Sequence, residues 1–539
     1  MSEDNSDVNQ TKTYDAIIVG AGFAGIYMLQ KLLKLGLNVV VLEAASGVGG
    51  TWWWNRYPGA RCDVESIEYS YSFSNQLQQD WKWSQKFSEG PEILEYANHV
   101  VDRFNLREYM IFDTLISSVV YDDISCTWAL ESENGNRYKS NYCIMATGTL
   151  SDPNEPVFNG IHDFQGDWYL TGKWPHDGVD FTGKKVGIIG TGSSAVQAIP
   201  VIAKQAKHLT VFQRTANYSI PANQRELSDI EITEVKANYN QIRESARLDK
   251  AGISRRNASD QSIFDVDKEE RELEFQKRWD IGGTPFTGAY KDINETDEAN
   301  KYAADFVKNK IREIVKDPNV ANLLCPTNTI GCKRLCADTG YFETYNRDNV
   351  QLVDINNTPI EQLIGNGLKT TEKEYDFDII IFAIGFDAMT GALKSMNIVG
   401  KNNIALNDKW SSGPKTYLGL TISGFPNLFT ITGPGSPSVL SNMMTAIEQH
   451  VEWISDCIQF MGNTGKKEIE ATLLSEDEWV DHVESIASGT LRYGCNSWYV
   501  GANVPGKKRI FMPYAGGIPL YNDKCAEVAS NDYKGFTLV

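Results

Sequence analysis

A chain of 539 residues with a formal net charge of −19 is too long for one ordinary core. It is also too acidic for a polyanion partner, since neutralising phosphates requires clustered Lys and Arg. Hydrophobic residues at 42% and charged residues at 22% give the balance of a soluble globular protein, here of two or three domains, and no apolar run reaches the ~20 residues that span a bilayer. Neither nucleic acid nor membrane is expected as a partner.

In chain order, the opening MSEDNSDVNQTKTY is polar and acidic, lacks the basic and apolar regions of a signal peptide, and reads as a disordered tail. From Tyr14 onward the pattern is strand, G-x-G-x-x-G loop, amphipathic helix and second strand. Gly20 permits the tight turn, Gly22 lets backbone N–H groups approach a pyrophosphate, and Gly25 allows close packing of helix on strand. Glu43 ends the second strand, 18 residues past Gly25, where a carboxylate can accept from both hydroxyls of an unphosphorylated ribose. This site suits FAD or NAD.

The stretch FQGDWYLTGKWP, residues 164–175, follows no period of 2 or 3.6 and reads as an irregular connector. Shortly after it, GKKVGIIGTGSSAVQAIPVIAKQAKHLTVFQR repeats the nucleotide plan with Gly190, Gly192 and Ala195. Its second strand runs into Arg214 and Thr215 rather than an acid. An Arg can pair with a 2′-phosphate that a Glu would repel, so the second site suits NADPH. Residues 223–333 are charged and helix-patterned, as in DEANKYAADFVKNKIREIVKD, and read as a helical insertion. NYCIMATGTLSDP and YDFDIIIFAIGFDAMTG read as buried strands ending at Gly148 and Gly385.

The nine cysteines contain no C-x-x-C pair. This suits a reducing, cytoplasmic compartment and removes the redox pair of a disulfide reductase. Cys325, Cys332 and Cys336 lie close in sequence, but none of the six His is nearby to complete a zinc site. They read as buried free thiols, with no metal. Two dinucleotide sites in one chain point to hydride passing from NADPH to a flavin, and reaction of reduced flavin with O2 requires no thiol pair.

GGTWWWNRYPGARCD carries Gly50, Trp52, Tyr57, Pro58, Gly59 and Asp63 in a second long pattern. The connector fits F-x-G-x-x-x-(H)-x-x-x-W-P at Phe164, Gly166, Trp174 and Pro175, with Leu170 in the His place. Together with the glycine loops, KRLCADTGYFETYNRDNV, TGPGSPSVLSNM and NSWYVGANVPGK, these make the chain resemble the type I Baeyer–Villiger monooxygenases from about Tyr14 to the C-terminal region. Trp174 and Pro175 set it apart from the N- and S-oxygenating flavin monooxygenases.

The resemblance implies an α/β protein of two dinucleotide-binding, Rossmann-like domains. The FAD domain would take 14–150 and 390–539, the NADP domain 151–222 and 334–389, and the helical insertion 223–333. It also implies a reaction: NADPH reduces FAD, O2 adds to form a C4a-peroxyflavin, and the deprotonated peroxide attacks a ketone, a cyclic one by preference. The adduct then rearranges to an ester or lactone. Arg334 is implied to stabilise the peroxide anion, since Arg stays charged in a dry site, and Asp63 to hold its guanidinium.

The implied cofactor contacts are Gly20, Gly22, Phe23, Ala24, Gly25, Glu43, Gly50, Thr51, Trp52, Asp63, Tyr69, Gly190, Thr191, Gly192, Ser193, Ser194, Arg214, Thr215, Lys333, Arg334 and Trp498. Of these, Lys333 would join Arg214 and Thr215 at the 2′-phosphate. Ser438, Val439, Leu440 and Trp498 would border the substrate, and Trp52–Trp54 would cover the flavin. Two residues depart from the pattern: Leu170, which can neither donate nor accept as an imidazole does, and Ile384, where Thr is common. Leu170 is expected to sit in the interdomain connector, away from the reacting atoms. The rival readings are a sulfide- or amine-oxidising flavin monooxygenase and an uncoupled NADPH oxidase. Ketone and O2 are the expected small-molecule partners of a monomer or weak homo-oligomer.

Overall fold

The runs Ala16–Val19 and Val39–Leu42 are buried on both faces, as strands of a parallel sheet covered by helices must be. In the computed structural model, which describes residues 11–539, they pair in parallel with Ile17 opposite Val40. The acidic stretch read as a tail lies, as far as residue 10, outside the described residues. The first sheet runs Asn397–Val399, Ile116–Asp122, Thr127–Ser132, Arg137–Met145, Lys12–Val19, Val39–Leu42, Met110–Ile111, with Leu428–Thr430 also paired to Arg137–Met145. The second sheet is wholly parallel, in the order Val350–Asp354, His208–Gln213, Lys185–Ile189, Ile379–Phe382, Asp167–Leu170. Each sheet has the expected strand, glycine turn, helix and strand, with helices at Phe23–Lys34 and Ser193–Gln205.

The connector contains regular structure that its pattern hides. Asp167–Leu170 is an edge strand, and Leu170 lies opposite Phe382. Pairing with one neighbour selects the strand here, where local periodicity has too few residues to speak. Leu170 is buried with Phe164, Ile189, Phe212 and Phe382. A Leu170→His change would put a polar ring into this apolar cluster and remove its filling. It should cost about 2–4 kcal/mol of stability. A thermal melt of the variant matching the parent would contradict this placement.

The segment 223–333 is helical but is not one body. The helix Asp229–Leu248 starts with a capping box between Ser228 and Glu231, and its Val235 and Tyr239 join the core of the first sheet. Its Arg243 donates to Ser70 Oγ at 2.6 Å. The helices Lys268–Ile281 and Asp297–Ile314 send Phe275, Trp279 and Phe306 into the core of the second sheet instead.

The chain passes from the first sheet to the second after Met145 and returns before Asn397. These two crossings are bonded side by side. The N–H of Asn154 donates to Gly385 O at 3.0 Å, that of Asp387 to Asp152 O at 2.8 Å, and that of Met389 to Thr149 O at 2.8 Å. Pro153 and Phe386 of this ribbon pack against Gly172 of the connector.

The cysteine expectation needs correction. Cys332 is joined to Cys495 in a disulfide across 163 residues of chain, with Cα atoms 5.6 Å apart. Cys336 is a buried thiol and Cys325 a half-buried one. A bond between residues so distant in sequence leaves no local pattern. No group of His, Cys, Asp and Glu able to hold a metal ion occurs among the described residues, and none of their helices is long and apolar enough to cross a membrane.

Candidate active site

Both glycine turns are shaped by close backbone approach. Gly20 has φ +106°, and a Cβ there would lie 2.6 Å from Ala146 O. Gly190 has φ +114°, and its Cβ would lie 2.3 Å from Ala383 O. No L side chain fits either place. Gly22 and Gly192 are the N-caps of the two helices, and neither helix has a side-chain cap or an acid in its first turn. The first N–H groups are therefore free for an anion. A Cβ at Gly192 would meet nothing within 4 Å, while Gly22 faces only Gly50, whose Cα would lie 3.5 Å from such a Cβ. These two open, donor-rich turns fit the pyrophosphates of FAD and NADP.

Around the first turn, Glu43 is buried and accepts from the N–H of Ala21 at 2.5 Å and of Ala45 at 2.8 Å. Burial raises its pKa, and these two bonds oppose the rise. Phe23 and Ala24 are buried beside Gly25, and Thr51 is exposed. Trp52 is buried and donates from Nε1 to the Tyr69 hydroxyl at 3.1 Å. The tryptophan triplet is not a single cover, however. The Trp53 ring lies 4.9 Å from that of His176, and Trp54 points outward, 38% exposed.

At the second turn, Thr191 donates to Thr215 O at 2.8 Å, and Ser193 meets the Cys336 thiol at 3.3 Å. Ser194 is half-buried, and Arg214 is exposed. Lys333 has its pKa lowered, first by burial and then by the charge of Arg214. The two cations thus lie within electrostatic reach of one another, and neither forms an ion pair among the described residues. A 2′-phosphate would satisfy both.

The structure brings Arg334 and Asp63 together across 271 residues. Arg334 donates from Nε to Asp63 Oδ2, from Nη2 to Asp63 Oδ1 at 2.9 Å and from Nη1 to Val439 O at 2.7 Å. Burial acts to lower the Arg334 pKa, but the Asp63 charge and hydrogen bonds outweigh it and raise the value. A guanidinium has five N–H donors, so two remain after these three bonds. Ser438–Leu440 forms a single turn of tight helix, and Val439 packs with Tyr499 and Val500, against which Leu440 and Trp498 also lie. Val439, Leu440 and Trp498 therefore share one apolar region beside the Arg334 guanidinium, whereas Ser438 is buried and donates from Oγ to Thr432 O at 3.3 Å.

Three contacts here were not foreseen, although Tyr57 and Tyr499 lie within the quoted motifs. Tyr57 donates to Gln197 Oε1 at 2.8 Å, and Gln197 Nε2 donates back to Arg61 O at 3.0 Å, which locks the first-sheet loop onto the second-sheet helix. Tyr499 feels the charges of Arg492, Arg334 and Asp63. Arg492, outside every motif, reaches the backbone of Gly331.

Comparison with known proteins agrees with this geometry. The family model described as pyridine nucleotide-disulphide oxidoreductase matches residues 17–275. The chain is 39% identical to a cyclohexanone 1,2-monooxygenase of an Acinetobacter species, with 98% of each chain covered. It is 41% identical to a Baeyer–Villiger monooxygenase of Pseudooceanicola batsensis and 41% identical to a phenazine N-monooxygenase of Lysobacter antibioticus, again over 98% of each. Among solved structures, an oxidized steroid monooxygenase bound to NADP is 48% identical with a TM-score of 0.94, covering 98% of this chain and 100% of that one. With two turns shaped for two dinucleotides and relatives of this kind along its length, the chain belongs to the FAD- and NADPH-dependent Baeyer–Villiger monooxygenases.

Proposed function

We propose that this enzyme inserts oxygen from O2 into ketones, cyclic ones by preference, to give esters or lactones, and that Arg334 is its catalytic cation. One observation carries the reading. The Arg334 guanidinium is clamped by the Asp63 carboxylate and by the carbonyl of Val439, in the turn bordering the apolar region of Leu440 and Trp498. When bound, FAD reduced by NADPH supplies the oxygen-activating chemistry implied by the family resemblance. The chain's own residues do the rest. Asp63 fixes the plane of the guanidinium, and the two unused N–H donors of Arg334 present positive charge where negative charge gathers on oxygen. Val439, Leu440 and Trp498 keep water away from that charge.

The proposed FAD domain, 14–150 and 390–539, is supported by the strands of the first sheet, which all fall there apart from the first two residues of Lys12–Val19. The proposed NADP domain, 151–222 and 334–389, contains every strand of the second sheet. In this reading Glu43 holds the FAD ribose and Arg214 with Lys333 holds the 2′-phosphate.

Arg214→Ala should then weaken NADPH selectively. Losing a charge-assisted contact costs about 1.5–3 kcal/mol, roughly ten- to a hundredfold in affinity. An unchanged KM for NADPH would refute the assignment, and the weak use of NADH should hardly change. The reaction itself is tested by supplying the purified yellow enzyme with NADPH, O2 and a panel of cyclic and open-chain ketones, and identifying the products. Esters or lactones support the reading, whereas hydrogen peroxide equal to the NADPH consumed would replace it with an oxidase. The phenazine N-monooxygenase relative favours one second reading, oxygenation of an aromatic nitrogen. A phenazine in the same panel would then yield its N-oxide faster than any ketone reacts.

A further inference from the structure

The segment that carries Trp498 is closely bonded to itself. Trp498–Val500 is a single turn of tight helix, followed by Gly501 at φ +72°. The N–H of Ala502 donates to Ser497 O at 3.0 Å, that of Val504 to Gly501 O at 3.3 Å and that of Met512 to Tyr499 O at 2.9 Å. Two tethers hold this unit against the rest of the molecule. At one end Cys495 is bonded to Cys332, next to Lys333 and Arg334. At the other, Lys507 reaches the ribbon of the two chain crossings. Its ammonium donates to Asp387 Oδ1, to Thr390 Oγ1 at 2.6 Å and to Ala388 O at 3.3 Å. Asn503 Nδ2 adds a bond to Phe386 O at 2.7 Å.

The Lys507 ammonium thus has an acceptor for each of its three protons, and its side chain is only 10% exposed. Its stem lies across the Trp498 turn: a Cβ at Gly501 would lie 3.0 Å from Lys507 Cδ and 3.1 Å from Cγ. One side chain therefore packs on the turn with its methylenes and grips the ribbon with its charge. Such a pair adds little net stability, because desolvating the charges offsets their attraction. What it supplies is a fixed position, since directed bonds admit one docking where apolar contact tolerates slip. The position so fixed is that of Trp498, which packs with Val439, whose carbonyl accepts from Arg334.

We propose that Lys507 is a positioning residue for oxygenation. By clamping the Trp498 turn to the ribbon it keeps water from the charge at Arg334, and so sets how much of the NADPH consumed ends in ester or lactone and how much in hydrogen peroxide. The proposal rests on the reading of the Arg334 region as the ketone-oxygenating site. In either outcome NADPH gives two electrons to O2 through the flavin. With the ketone, one oxygen atom enters the ester and the other leaves as water. Without it, both leave as hydrogen peroxide.

The test compares the FAD-bound parent with Lys507→Met, Asp387→Asn and Lys507→Arg, using a cyclic ketone that the parent oxygenates. Amide hydrogen exchange over residues 497–507 should quicken roughly tenfold or more in Lys507→Met, as expected for lost charge-assisted bonds. In the same variant the hydrogen peroxide formed per NADPH should rise severalfold and the ester fall in step, while anaerobic reduction of the flavin by NADPH keeps its parental rate. Asp387→Asn should show both changes in weaker form, and Lys507→Arg, which keeps the charge and its donors, should recover part of the coupling. Parental exchange over 497–507 in Lys507→Met would overturn the proposal, as would faster exchange with an unmoved share of peroxide. Equal losses of flavin reduction and ester formation would also overturn it, by making the clamp a support of the fold at large. Should Lys507→Met fail to retain FAD, Asp387→Asn decides by the same criteria. Each of these failures leaves the ketone-oxygenating reading standing, whereas a parent that oxygenates no ketone overturns both.

Discussion

Arg334→Ala is expected to reduce its flavin with NADPH and yet form almost no ester or lactone. Hydride transfer between the two cofactors forms no peroxide anion, so it depends little on this guanidinium. Stabilising an anion in a dry site does depend on it. A preorganised donor there is worth about 3–4 kcal/mol, or 10²–10³ in rate. The change also leaves the Asp63 carboxylate without its partner beside the site, which adds repulsion. Anaerobic bleaching of the flavin at near-parental rate, together with loss of ester and release of peroxide in the aerobic reaction, is the full expected outcome. Asp63→Asn should show a weaker form, roughly tenfold, because a neutral amide orients the guanidinium less firmly than a charged carboxylate. Parental ester formation by Arg334→Ala would remove the residue from the chemistry.

The second large effect separates the cradle of the coenzyme from the fold beneath it. Gly190 and Gly192 stand two residues apart in one turn and face opposite constraints. At Gly190 a Cβ would lie 2.3 Å from Ala383 O, with φ at +114°, so Gly190→Val should fail to fold its second domain. At Gly192 the backbone has φ −80° and a Cβ meets nothing within 4 Å. Gly192→Val should therefore fold and bind FAD normally. Its isopropyl group would occupy the path of the pyrophosphate and cost at least two charge-assisted bonds, about 3 kcal/mol or more, or a hundredfold and upward in NADPH affinity. Titration of the folded variant with NADPH, alongside its melting curve, checks both halves. Parental NADPH binding by Gly192→Val would mean that the pyrophosphate does not approach this turn.

The two nucleotide turns were legible because their constraints are local. Steric demands within a few residues force glycine at fixed spacing, and the end of the next strand carries Glu43 in one copy and Arg214 in the other. The pairing of Arg334 with Asp63 is of another kind. Its partners lie in loops 271 residues apart, and only the resemblance of whole motifs brought them together. Asp167–Leu170 escaped because an edge strand of four residues owes its conformation to Phe382 and its neighbours across the ladder, not to its own alternation. The disulfide of Cys332 with Cys495 and the position of Arg492 escaped for a further reason. Both depend on where a late loop returns in space, and neither residue type imposes a spacing on its surroundings.

The ribbon formed by the two chain crossings has a mechanical consequence. Three backbone hydrogen bonds join residues 149–154 to residues 384–389, so the crossings deform together. Sliding one nucleotide unit past the other would break all three at once, whereas twisting the ribbon about its long axis strains each only slightly. The ribbon by itself thus resists sliding more than twisting, and any twist must also strain the Tyr57–Gln197 lock and the Arg334–Asp63 clamp. Because Asp63 and Arg334 are bonded to one another across that division, a twist large enough to open the ribbon would also part this pair. One pair of spectroscopic labels across the cleft would follow that parting.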